Sequence, residues 1–366
     1  MTVLAPGLEV VGPGDESPRH RRVRQVFTVL PLALLVVIVL ASCLGSLAGP
    51  AEVLSVLSEK LGLGTGAGLD EATRAIVWEV RLPRIALGLV VGAALGVGGT
   101  LMQGLLRNPL AEPGLVGVST GAAVSAAAFL VLLRPWLNDV APWLARIGLP
   151  LIAFLGALLT THVTWKLSER SGLPSVPAVL LAGIAINALA GAATGILVLL
   201  AGEKLRDITF WTLGSLGGAS WSLVGTVALF VVPCLLLALP LGTALNALSL
   251  GRAEAGHLGI DVRSASRRAV LLTALSVGVG VAACGVISFV GLAVPHVLRL
   301  IQGPDHRALL PAAALLGGIG LTLCDLVART IAAPVEIPIG IITALLGAPF
   351  FLWIIRRGSS AAGGQW

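Results

Sequence analysis

The chain has no tyrosine, two methionines and four cysteines, and Asp, Glu, Lys and Arg together fill only 11% of its 366 positions. Soluble domains average about 25% charged residues, so this sequence cannot clothe a water-facing surface of its size. Lysine is confined to Lys60, Lys166 and Lys204, and none follows a glycine. No GxxxxGK phosphate loop exists, and the chain cannot hold ATP in that way. HExxH and zinc-like His/Cys spacings are also absent. Cys43, Cys234, Cys284 and Cys324 fall singly inside apolar runs, where cysteine serves as a small apolar residue. No catalytic residue, metal ligand or bound cofactor is assigned to this chain.

What remains is apolar sequence, 56% of the whole, in repeated runs of membrane-crossing length. A bilayer core takes about 20 helical residues per crossing, and the runs lack the alternation of a membrane barrel. The fold class is therefore an all-α polytopic membrane protein of about ten spans. They are expected at 26–49, 83–106, 114–133, 147–165, 176–200, 222–245, 269–287, 288–301, 309–330 and 337–355. The eighth is short and contains Pro295, which predicts a broken or tilted element. Placing the N-terminus inside puts 15 of the 24 Lys and Arg in cytoplasmic segments. The positive-inside bias thus favours cytoplasmic N- and C-termini. The net charge of +6 suits basic loops beside anionic lipid and requires no nucleic-acid partner.

Residues 1–25 are rich in Gly, Pro and charge and read as a disordered basic cytoplasmic tail. One membrane domain fills 26–357, and 358–366 form a C-terminal tail. Residues 50–80 are the longest external segment, with a short surface helix near 51–60 and a glycine-rich link at 62–68. The polar stretch 246–268 lies on the cytoplasmic side. The run Leu40-Ala41-Ser42-Cys43 after an Arg-rich flank also fits a lipoprotein signal cleaved before Cys43, at the cost of one span.

Within the second span Gly88, Gly92 and Gly96 recur every four residues, with Gly99 near the same face. That spacing lets helix backbones approach closely, and packing inside one subunit is favoured over a subunit interface. Arg81 and Arg84 flank Pro83 at its outer start, three residues apart and so on one helical face. Asn108-Pro109-Leu110-Ala111-Glu112-Pro113-Gly114 reads as a tight cytoplasmic reversal. Gly117-Val118-Ser119-Thr120-Gly121 satisfies GxSxG, but it lies in a Gly/Ala/Ser-rich helix and an intramembrane hydrolase is disfavoured. An ion-coupled secondary transporter is the other rival. It needs buried carboxylates, and Asp325 with Glu336 near the outer surface makes a poor relay.

The order Arg-Leu-Pro-Arg, glycine ladder, Met-Gln, Asn-Pro-Leu-Ala-Glu-Pro-Gly resembles the membrane subunit of ABC importers for ferric siderophores, haem and cobalamin, the FecCD family. Residues 210–218, 286–300 and 334–350 resemble further stretches of that family. The resemblance implies the type II importer permease fold and a non-enzymatic subunit in the bacterial cytoplasmic (inner) membrane. It implies a second permease copy or homologue, two separate ATPases that bind ATP and Mg, and an external solute-binding protein. An iron–siderophore complex is the first substrate expected, with cobalamin or haem as alternatives. By resemblance, Arg81, Arg84 and Arg329 face outward and dock the binding protein, although Arg329 could instead pair with Asp325 one turn earlier. Leu248, Gly251, Glu254, Ala255, Leu258 and Gly259 belong to a small amphipathic coupling element, with Ala253 also on its apolar side, that seats on the ATPase. Asn108 and Leu110 match one part of the cytoplasmic gate, and Val176 and Pro177 the other.

Overall fold

The computed structural model describes residues 18–44, 49–63, 69–170 and 173–361. The chain opens with α1 (Pro18–Cys43) and the short α2 (Pro50–Lys60). Next, α3 (Glu71–Ala75) runs without a break through π-helical Ile76–Arg81 into α4 (Leu82–Leu106). Pro83 accounts for the π segment. Leu82 N–H reaches back to the Val77 carbonyl, and the ring that follows has no N–H to continue an α ladder.

α5 (Val118–Ala128), π-helical Phe129–Leu133 and α6 (Arg134–Val140) form the next crossing, followed by α7 (Pro142–Ser168). A two-residue pairing of β1 (Glu169–Arg170) with β2 (Leu173–Pro174) turns the chain into α8 (Val176–Leu200). Then come α9 (Leu205–Leu213), α10 (Trp221–Ala238), α11 (Leu241–Leu250), α12 (Arg252–His257) and α13 (Val262–Cys284). The chain closes with α14 (Val290–Gln302), α15 (His306–Thr330) and α16 (Ile339–Ala361).

Among the described residues, eight helical segments are long and apolar enough to cross a bilayer, and α11, α14 and Ile339–Leu352 are shorter apolar helices. The eighth span, expected to be broken or tilted, is α14, one continuous helix through Pro295 whose 13 residues cover only about 20 Å. Four boundaries differ from expectation. Helix α1 starts at Pro18, so residues 18–25 are helical rather than disordered, while 1–17 lie outside the described residues. The external segment gains its expected short helix as α2, but from Glu71 onward it is the extended start of the second span. Residues 64–68 of its glycine-rich link lie outside the described residues. The stretch 246–268 is mostly helical, being the end of α11, all of α12 and the start of α13. The C-terminal helix continues to Ala361, and 362–366 lie outside the described residues.

Helix α4 is the axis of the bundle. It packs most extensively on α15 and also against α13, α14 and α10. The glycine ladder makes this possible: a Cβ on Gly92, Gly96 or Gly99 would collide with the carbonyl of Gly317, Ala313 or Gly291. Close backbone approach is how helices associate where lipid supplies no hydrophobic drive. The ladder therefore packs the subunit internally, as expected. Helix α8 is the contrast, with Leu181, Ile184, Leu189, Ile196 and Leu199 all exposed.

Candidate functional site

At one end of the bundle the three expected docking arginines converge, but inward. Arg84 grips Asp325 through Nε (3.0 Å to each oxygen) and Nη2 (2.9 Å), and its Nη1 donates to Glu336 at 2.8 Å. Arg329 Nε lies 3.8 Å from the same Asp325, one turn earlier on α15. Arg329 also donates to the Ala41 carbonyl, and Arg81 donates to that of Ser42. Those carbonyls belong to the last turn of α1, where no intrahelical donor remains and a cation complements the helix dipole.

The expectation that Arg81 and Arg84 face outward is thereby corrected. Both are buried, at 5% and 8% exposure, because they serve as caps and counterions inside the chain. They also do not share a partner, since Arg81 closes the π segment and turns to α1 while Arg84 turns to α15. Glu336 is the accessible member, its side chain half exposed. The three further family-like stretches meet here too. Gly214 and Gly340 both lie against the Val286 carbonyl, Ile339 N–H donates to the Gly214 carbonyl (3.1 Å), and Gly217 lies beside Glu336.

The other end carries the expected gate and coupling residues. After α4, Arg107 takes a left-handed conformation, and Asn108 Oδ1 accepts the Leu110 N–H at 2.9 Å. That side-chain turn leaves Leu110 half exposed. The chain then climbs back into the bundle: Pro113 lies against Gly98 and Gly291. Gly98 is eight residues above the end of α4, about 12 Å up the helix. The expected tight reversal is therefore a re-entrant segment. It is tied in place by Asn187 Nδ2 donating to the Gly114 carbonyl (3.1 Å) and Thr160 Oγ1 to that of Gly117 (2.8 Å). Glu112 Oε1 accepts the Phe289 N–H at 3.1 Å, at the start of the short helix α14. A carboxylate there satisfies an orphan donor and complements the dipole.

Val176 and Pro177 open α8, whose first turn is capped by Ser175 Oγ accepting the Ala178 N–H at 3.2 Å. Val176 is half-buried and Pro177 exposed. The structure brings the re-entrant segment onto α8 at Gly183 and Asn187. Among the described residues no hydrogen bond joins Asn108 or Leu110 to Val176 or Pro177.

The coupling stretch is a compact unit. Leu248 and Ala255 are buried against the chain's own core, whereas Leu258 is exposed along with Ala253, Glu254 and Gly259. The expected single apolar face is thus divided, half anchoring the element and half offered outward. Gly251 (φ +138) and Gly259 (φ +80) bracket α12 in conformations that side chains resist. Glu254 folds back over Gly251.

Glu112, Asn187, Thr160 and Gln103 were not singled out in the sequence as site-forming residues. Gln103 crosslinks helices, donating to the Leu292 carbonyl (3.2 Å) and accepting from Arg299. The available signal was a polar side chain within or beside an apolar span. Ser119 of the GxSxG sequence has no hydrogen bond to a histidine among the described residues, so no hydrolase dyad is formed. No group of three or more His, Cys, Asp or Glu able to hold a metal occurs among them either.

Residues 32–357 match the FecCD transport family. The chain belongs to that family. This FecCD protein is 47% identical over 283 residues to the hemin transport system permease HmuU of Yersinia pestis, covering 77% of this chain and 83% of that one. It is 41% identical to the cobalamin import permease BtuC of Halobacterium salinarum, over 79% of this chain and 75% of that protein. The vitamin B12 import permease BtuC of Salmonella typhi shares 37% identity over 93% of this chain and 98% of its own. A solved structure in an inward-facing conformation, assigned to the metal-chelate type of ABC transporter, superposes with TM-score 0.77 at 29% identity. It covers 91% of this chain and 99% of that one. The FecCD protein is accordingly a multi-pass bacterial inner-membrane permease subunit of a type II ABC importer, and not itself an enzyme.

Proposed function

We propose that this permease carries haem. The observation that carries the reading is the 47% identity to a hemin permease, against 41% and 37% to cobalamin permeases. Haem thereby displaces the iron–siderophore complex that the sequence placed first. Two copies, or this chain and a homologue, enclose the pathway. ATPases that bind ATP and Mg seat on the exposed side of α12 around Leu258 and Gly259. That end, with both termini, faces the cytoplasm, as its basic loops favour. ATPase closure moves α11–α13 and, through it, the re-entrant segment bearing Asn108 and Leu110 and the start of α8 at Val176 and Pro177.

An external binding protein docks at the arginine end. Because Arg81 and Arg84 are buried, docking there works by exchange: a carboxylate of the binding protein takes the place of half-exposed Glu336 on Arg84, and Arg329 supplies the neighbouring charge. Glu336→Gln is expected to strengthen salt-sensitive association of the binding protein, and Arg84→Gln to weaken it. Equal affinity in both variants contradicts the exchange. The substrate is tested by deleting the chain from its host and following uptake of labelled haem, cobalamin and ferric siderophore. Loss of haem uptake alone is expected. Intact haem uptake with loss of either other substrate overturns the assignment.

A further inference from the structure

A groove outside the gate and coupling elements lies between the last turns of α7 and the first turns of α13. It is a cavity of about 350 Å³ whose lining divides by chemistry. Lys166, Arg263 and Arg267 stand at one side, while Leu158, Val270 and Ala274 continue it along the apolar helix surfaces. Trp165, a side chain suited to the membrane–water boundary, lies between the two zones.

The cations are in excess. Glu169 is the one carboxylate of the lining, and it pairs with Lys166 at 3.3 Å. Arg263 and Arg267 have no ion-pair partner among the described residues. They are one turn apart on α13, where like charges repel, and Arg263 sits in the first helical turn, where the dipole also disfavours a cation. Both costs are relieved by an anion between them. The apolar zone requires that this anion carry a hydrocarbon tail. His162, one turn before Lys166 on α7 and also in the lining, adds a hydrogen-bonding edge.

We infer that this groove is a binding site for an anionic phospholipid, its phosphate held by Arg263, Arg267 and Lys166 and an acyl chain laid along Leu158, Val270 and Ala274. Basic pockets between membrane helices favour such headgroups. The lipid thereby clasps α7 to α13, the helix that follows the coupling element.

The test uses the full chain reconstituted in nanodiscs and the fluorescence of Trp165, isolated as the difference between wild type and Trp165→Phe. Phosphatidylglycerol with brominated acyl chains is expected to quench that signal at about tenfold lower mole fraction than brominated phosphatidylcholine. Arg263→Ala/Arg267→Ala should abolish the preference with the protein still monodisperse and helical. Arg268→Ala, which removes an exposed charge from the same helix but outside the groove, should leave it intact. Equal quenching by the two lipids overturns the site, as does a preference that survives the double variant or is lost equally in Arg268→Ala. Displacement of the brominated lipid by millimolar glycerol phosphate would show a headgroup-only anion site and would also overturn it.

Discussion

Asp325 holds the buried Arg84 and lies 3.8 Å from the part-buried Arg329, and its removal is the severest single change expected in the chain. Breaking a buried ion pair from one side leaves uncompensated charge and costs about 3–5 kcal/mol. Asp325→Ala should therefore show a loss of that order in denaturant unfolding of the detergent-solubilised protein. Glu336→Gln, at a half-exposed partner, should cost no more than about 1 kcal/mol. Similar losses in the two variants would contradict the arrangement. Asp305 offers a pH test at the other end. Partial burial alone would raise its pKa, but hydrogen bonds from Asn246 (2.6 Å) and the Arg307 N–H (3.0 Å), with the charges of Arg19 and Arg307, outweigh that and hold it below the ordinary aspartate value. A depressed folded-state pKa stabilises fully above the unfolded value and is lost as pH falls through the folded one. The stability gap between wild type and Asp305→Asn should be constant near neutrality and shrink below about pH 4. A gap unchanged at pH 3 would refute this role. The i,i+4 relation of Arg329 to Asp325 was readable from sequence. The Arg84 link to Asp325 was not, because its partner lies 241 residues away and a local reading sees only a cation at a membrane boundary.

Helix α4 owes its place at the axis to small residues, which makes its packing testable against a control. Gly92→Leu and Gly96→Val should prevent α4 from reaching α15, with losses beyond the 1–3 kcal/mol of ordinary overpacking, since the obstacle is backbone. Gly195→Leu on α8, where nothing lies within 4 Å, should be tolerated. Yields of monodisperse protein distinguish the two, and an intact Gly92→Leu variant would refute the packing. Gly259→Val forces a side chain into a left-handed conformation at a cost of about 1–2 kcal/mol, confined to the exposed end of α12. It should fold yet lose ATPase stimulation, and unimpaired coupling would count against α12. At this scale hydropathy revealed nearly every span, because each must satisfy bilayer thickness whatever its neighbours do. The small amphipathic element expected within 246–268 is present as α12, whereas the re-entrant course of 107–117 was hidden, because it depends on contacts such as Pro113 with Gly98 and Gly291, which no local periodicity encodes.

As a whole molecule, the permease is one helical bundle with an ion cluster around Asp325 at one end and α12 beside a re-entrant segment at the other. Family membership was legible because the Arg-Leu-Pro-Arg and Asn-Pro-Leu-Ala-Glu-Pro-Gly sequences are irregular, and irregular sequence in a membrane persists where it forms specific contacts. Substrate was not legible, because spans built of small and apolar residues do not name a ligand. The most direct measurement is mass spectrometry of what co-purifies with the full chain after gentle detergent extraction. The account predicts recovery of a P-loop ATPase, lost when residues 251–259 are disrupted while the bundle stays folded. Reproducible absence of any ATPase from the intact chain, or undiminished recovery with the disrupted one, would contradict it.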